Sequence, residues 1–177
     1  GDLFVEISDT ATEGLRLTNA NDVMIVGGDA TFTSQSHQYS ATSETNFTAG
    51  EIHFRGDFTQ TRQDQYSGAK SFVATGTDVY FDGSSAQEIA WDNSGNGTSR
   101  LNDFFVTNAA GVTLDGNLWV DGDLDLSGTF TVAGDTVDNL VTMTIRSTGT
   151  LNNTGTMTVT SCVKEQGYTI NGTDPCP

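Results

Sequence analysis

From Val112 to Asp135 the sequence repeats every six residues, as VTLDGN, LWVDGD, LDLSGT and FTVAGD. Each block runs apolar, any, apolar, any, Gly, small polar. Gly116, Gly122, Gly128 and Gly134 therefore share one register with pairs such as Val112/Leu114 and Leu118/Val120. An apolar pair at period two is a short half-buried strand, and the Gly with its polar neighbour is a turn. Strands of about three residues cannot stand as hairpins, which need longer strands and a shared apolar face. They must bury that face against neighbouring turns of the same coil. The repeat therefore predicts an all-β, single-domain β-solenoid, or β-helix, with three hexads to a triangular coil of about 18 residues.

The rest of the composition agrees. Hydrophobic residues make up 35% of 177, with 20 Gly and two Pro, a mixture that suits short strands and tight turns rather than long helices. Twenty-three acidic against seven basic residues give a net charge of -16. Nucleic acid and anionic membrane surfaces both require clustered Lys and Arg, so neither is an expected partner. No apolar run approaches the ~18 residues of a membrane-spanning helix, and the first residues do not read as a signal peptide. Cys162 and Cys176 are the only cysteines. A disulfide between them would close the polar stretch KEQGYTINGTDP into an irregular tail, 162–177, following a solenoid over 1–161. In the chain-entropy model such a loop is worth about 3 kcal/mol, and it implies an oxidising compartment.

Strand-and-Gly units also recur at a longer period. LFVEI (3–7) is followed by LRLT from Leu15, and then by VMIVGGDATFT from Val23, IHFRGDFTQ from Ile52, VYFDGSSAQEIAW from Val79 and FFVTNAAGVTL from Phe104. Three polar insertions account for the extra length: SQSHQYSATSETN (34–46), TRQDQYSGAKS (61–71) and DNSGNGTSR (92–100). Insertions at equivalent points of successive coils project from one side, where binding often occurs. His37, Tyr39, Arg62, Tyr66, Lys70 and Arg100 lie in them and are the candidate binding-loop residues. The opposing reading, that the loops are tolerated excursions, is favoured by how little loop length costs.

The segments FTAGEIHFRGDFTQ, SFVATGTDVYFDGSSAQEI and RLNDFFVTNAAGVTLDGNLWVDGDLDLSG resemble modules of secreted bacterial surface proteins. Their shared pattern is AG.I...GDFTQ, F.GS..Q.I and F..L.V.N..GV.L. TGTLNNTGTMTV is similar to haemagglutinin-type adhesin repeats. The resemblance covers about residues 47–160. It implies an extracellular, right-handed β-solenoid acting as stalk, scaffold or adhesive element, and it carries no catalytic residue with it.

Several chemistries deserve weighing. Grouped carboxylates cleave polysaccharides on many β-helical folds, and Asp115, Asp121, Asp123 and Asp125 are the candidates. Asp beside Gly is already explained by turn chemistry, however, and no His or basic residue is near in sequence. No enzyme is expected. DGDLD offers oxygen donors for calcium, yet lacks the ligand spacing of an EF-hand or of a calcium-binding β-roll, so no cofactor is expected, a bound calcium stays open and its ligands are not assigned. Thr-x-Thr pairs such as Thr129/Thr131 and Thr142/Thr144 raise an ice-binding surface, which needs Thr stacked on successive coils. Residues six apart fall on different sides, and at about 18 residues per coil only Thr142/Thr160, and nearly Thr129/Thr148, would align. Sequons occur at Asn46, Asn96, Asn152 and Asn171. Trp91 and Trp119 suit core or half-core packing better than sugar platforms.

The expectation is thus a subunit or module of a microbial surface fibre or adhesin, extracellular or on the cell surface, whose partners are copies of itself. Coil ends pair with another chain unless capped, which nominates Leu3, Phe4, Val5 and Ile7, or the Cys-closed tail, as subunit contacts. The alternative is a module that binds glycan or a host surface through the polar loops.

Overall fold

The computed structural model describes residues 1–7, 15–34, 45–62, 70–92, 95 and 98–177. The protein is all-β, with sixteen strands and no helix among the described residues. One eight-stranded sheet is ordered β1 (Leu3–Ile7), β3 (Ala30–Ser34), β5 (Phe58–Arg62), β7 (Gln87–Trp91), β9 (Val112–Gly116), β12 (Thr129–Val132), β14 (Thr150–Asn153) and β16 (Thr169–Gly172). The other contains β2 (Val23–Val26), β4 (Glu51–Phe54), β6 (Asp78–Phe81), β8 (Phe104–Val106), β11 (Leu124–Leu126) and β13 (Thr136–Ile145). Beside β13 lie β10 (Leu118–Trp119) and β15 (Thr156–Lys164). Every pairing is parallel, and the chain passes back and forth between the sheets. A third, thinner ladder connects Leu17 to Phe47 and Ala74, Val73 to Arg100, and Leu101 to Val120, each as an isolated parallel bridge. It continues as Leu118 opposite Val137 and Val137 opposite Met157.

The hexads occupy the places their pattern demands. Val112/Leu114, Leu118/Val120, Leu124/Leu126 and Phe130/Val132 are all essentially inaccessible, and Val112 lies beside Phe130, three hexads later. Gly116, Gly122 and Gly128 turn the backbone close against the layer before it. Gly116 shows the constraint best: its φ is 103°, and a Cβ there would sit 2.0 Å from the Trp91 carbonyl oxygen. Gly128 is equally confined, its would-be Cβ 2.3 Å from the Asn108 carbonyl oxygen. Beyond Asp135, where the sequence register slips, β13 runs ten residues and belongs to two sides at once. It pairs with β10 through Val137 and with β11 from Met143 onward, and it bends at Asn139, which has a φ of 70°.

Inward residues of successive layers meet in one continuous core. In the first half it is aromatic: Phe32, Phe47, Phe54, Phe58, Phe72 and Phe81 pack edge-on or tilted, and Trp91 stacks on Phe58 at 5.5 Å. In the second half Leu, Val, Ile and Met fill the same space, with Phe130 against Phe104 at 5.4 Å.

Where strands turn, the first N–H of a layer lacks a ladder partner, and a side chain from the layer before accepts it. Asp2 takes the Asp29 amide, Asp29 the Asp57 amide and Asp57 the Glu88 amide, at 3.2, 2.9 and 2.8 Å. Asp103 serves Asp123, and Asp123 serves Thr142, both at 2.9 Å. A buried polar lock holds another corner. Gln87 accepts the Gly83 amide and donates to the carbonyls of Phe54 and Gly56, while Asn108 donates to Gln87 and to the Ser85 carbonyl. These residues are the Gln and Asn of the F.GS..Q.I and V.N..GV motifs.

Two expectations need amendment. The segment after Cys162 is not an irregular tail: Cys162 lies within β15, and residues 169–172 form β16 against β14. The disulfide is present, joining Cys162 to Cys176 with Cα atoms 5.7 Å apart. LRLT contributes only the Leu17 bridge. Its remaining residues have no partner that would make them a strand, since the third side is built from single bridges in the first half.

Candidate binding surfaces

The four candidate carboxylates do not converge. Asp125 is held by Arg146, whose Nε lies 2.9 Å from it and whose terminal nitrogen also contacts it. Asp121 pairs with the Arg100 Nε at 2.7 Å and accepts from Trp119 Nε1 at 2.8 Å and Asn139 at 3.0 Å. Asp123 caps Thr142, and Asp115 sits on the opposite sheet. Asp121, Asp123 and Asp125 are thus engaged in holding one layer to the next. Among the described residues no group of three or more His, Cys, Asp or Glu could hold a metal ion.

The insertions leave and return at adjacent points. They depart after β3, β5 and β7, which are neighbours in one sheet, and the chain returns at Phe47, Val73 and Arg100, which belong to the thin third ladder. Ser99 fastens two of the returns together by accepting the amides of Ser71 and Phe72 at 2.9 and 3.3 Å. His37, Tyr39 and Tyr66 lie outside the described residues. Arg62 ends β5, and Lys70 is half-buried where the second insertion returns. Arg100 is 7% exposed, paired with Asp121 and donating to the Thr98 carbonyl at 3.1 Å, so its charge serves the fold. Of the sequons, Asn46 is buried, Asn96 lies outside the described residues, and Asn152 and Asn171 sit side by side on β14 and β16.

A feature with no motif in the sequence crosses the outer side of the second sheet. Parallel pairing places His53 beside Tyr80 and Tyr80 beside Phe105. Their rings stack at 4.5 and 4.4 Å with interplanar angles of 7° and 13°. Each ring covers its neighbour's face, so the stripe turns edges outward and offers no sugar platform. His53 is gripped from both nitrogens, Nδ1 2.9 Å from Asp82 and Nε2 3.3 Å from Glu51. Beside the rings run Glu51, Asp78 and Asp103. Burial, then the charges of Asp103 and Glu51, push the Asp78 carboxyl above its ordinary range. Burial followed by the charges of Glu51 and Asp78 does the same to the Tyr80 phenol. Only the register between units 25 to 28 residues apart could have revealed this stripe, and insertions of unequal length hide that register in the sequence.

The outer side of the first sheet changes character along its length. At β7 the short side chain of Ala90 leaves a shallow depression lined also by Thr61, Asp92 and Asp115. Beyond it, β12, β14 and β16 present only Thr and Asn.

No known family model matches the chain, and no curated protein or solved structure matches it either.

Proposed function

We propose that this chain is a right-handed β-solenoid that serves as a structural or adhesive element outside a microbial cell, associating with copies of itself through its terminal layers. The observation that carries this reading is the all-parallel pairing of both sheets, in which β1 and β16 are the outermost strands of the first sheet among the described residues. Open parallel edges invite another strand, and a contact between unlike ends propagates rather than closing. The β1 end suits such a contact: Phe4 is 64% exposed, Val23 59% and Ile25 53%, all on the first layer. Leu3 and Val5 pack only partly against the core. Ile7 completes the same strand. The disulfide and the acidic composition suit an oxidising, extracellular setting. The engagement of Asp121, Asp123 and Asp125 with structural partners supports a non-enzymatic role.

Light scattering and negative-stain microscopy of the purified protein test the assembly. Fibres or concentration-dependent oligomers are expected, weakened by Phe4→Lys. A monodisperse monomer at high concentration would sink the reading. The stacked departure points of the three insertions favour a second role, capture of glycan or a host surface on that side. Removing residues 35–44 should then abolish binding in a glycan array while leaving the melting temperature nearly unchanged.

A further inference from the structure

We propose that the outer side of β12, β14 and β16 is an ice-binding face. The sequence argued against one because residues about 18 apart aligned few Thr pairs. The observed register aligns different ones. Thr129 lies beside Thr150 and Thr150 beside Thr169, forming one row, while Thr131, Asn152 and Asn171 form the next. Thr142, by contrast, meets Ser161. Thr113 on β9 extends the second row by one layer. No bulge interrupts these pairings, so the side chains repeat at the strand spacing of about 4.8 Å in one direction and at roughly 6.7 Å, two residues along a strand, in the other.

The amide row is fixed from within: Asn171 donates to Asn152 at 2.8 Å, and Asn152 to Thr131 at 3.2 Å. Among the described residues, the hydroxyls of Thr129, Thr150 and Thr169 bond to no protein group, so the other row is left for a ligand. This patch carries no charge, on a chain whose net charge is -16. The other two sides of the same layers carry charges, namely Asp125, Arg146 and Glu165 on one and Asp121 and Asp138 on the other. An uncharged lattice of hydroxyl and methyl groups at fixed intervals in two directions complements ice, whose oxygens repeat at similar intervals and offer both donors and acceptors. A charged side chain would hold its own disordered hydration there. A crystalline polysaccharide fits less well, since these three strands turn no aromatic ring outward for sugar C–H groups to stack on.

The face lies within one chain and does not depend on self-association. The test is ice-affinity partitioning and crystal-shape microscopy on protein from a host that does not glycosylate asparagine. Thr150→Lys tests the middle of the array, and Thr59→Lys, on the same sheet but outside it, is the control. Melting curves confirm that both variants are folded. Wild type and Thr59→Lys should enrich in the ice and facet growing crystals, and Thr150→Lys should lose both behaviours. Should Thr150→Lys fail to fold, Thr169→Lys on the terminal strand takes its place. Exclusion of the wild type from ice, or equal loss in Thr59→Lys, overturns the proposal. Retention on crystalline cellulose that Thr150→Lys abolishes, without ice shaping, overturns it in favour of a polysaccharide.

Discussion

The two halves of this protein build the same pair of parallel sheets by different means. From β1 to β7, interlayer hydrogen bonds join residues 26 to 33 apart, and the core is packed with Phe. From β9 onward they join residues 18 to 23 apart, and the core is mainly aliphatic. The longer layers do not place more residues inside. Their surplus leaves between the first sheet and the third ladder, so repeat length and core size are set independently. Thermodynamically this is permissible because loop closure grows only logarithmically with length. A layer can thus acquire an insertion without disturbing its neighbours, provided that the returning residue, such as Phe72 or Leu101, re-enters the core.

The largest expected difference between the halves follows from their cores. Phe72 touches Phe32, Phe47, Phe58 and Trp91 at ring distances of 4.9 to 6.1 Å. Truncating a buried Phe this way costs about 3–5 kcal/mol. Phe72→Ala should lower denaturant-measured stability more than Leu126→Ala, and equal losses would break the distinction between aromatic and aliphatic halves. Cys162→Ser comes next, at about 3 kcal/mol for a loop of this length. Hydrogen exchange should place that loss at β15 and β16 and leave β4 and β6 protected; uniform loss would mean the halves unfold as one.

Electrostatics should separate the halves with opposite signs. Asp78 has a raised pKa, so its charge is unfavourable to the folded state at neutral pH. That penalty fades as pH falls through its folded pKa, and below the unfolded value of about 3.9 it is gone. Asp78→Asn should therefore raise stability at pH 7, by under about 1 kcal/mol at a half-buried, partly screened site, as a melting series would detect, and have no effect in strong acid. Glu165 is held low by hydrogen bonds from Arg146 and the Ser147 amide. Its contribution is present above the unfolded pKa and is lost as pH falls through the folded one. Glu165→Gln should cost stability at pH 7 and flatten the acid limb of the profile, which a melting series over pH would detect. Shortening the insertion at 35–44 should have the smallest effect, within about 0.5 kcal/mol.

How much of this was legible in the sequence depended on whether spacing was uniform. The hexads placed Val112, Leu114, Leu118, Leu124 and Phe130 correctly because each block spans one side of a layer with nothing inserted. The same logic missed the alignment of Thr129 with Thr150, because the turn before Thr136 and the bend at Asn139 add residues to that layer. The stacked His53, Tyr80 and Phe105 were invisible for a related reason. Single residues in three dissimilar units carry no pattern until their register is known. The aspartates were weighed as turn residues, but Asp123 accepts an amide of the next layer while Asp121 and Asp125 hold Arg100 and Arg146, and local turn chemistry could not indicate that. Arg100 lies in a polar stretch that reads as loop, yet its aliphatic stem and charge are drawn inward by Asp121 from a side 21 residues later.

The disulfide also gives the molecule a direction. Because each layer is stabilised mainly by its neighbours, such a stack frays from its ends. The covalent tie from β15 to the segment beyond β16 stitches one end shut, and Lys164 bonded to Asp174 at 2.6 Å reinforces it. A molecule stretched or partly digested would therefore hold β15 and β16 together after strands without such a tie have separated, and keep its uncharged face to the last.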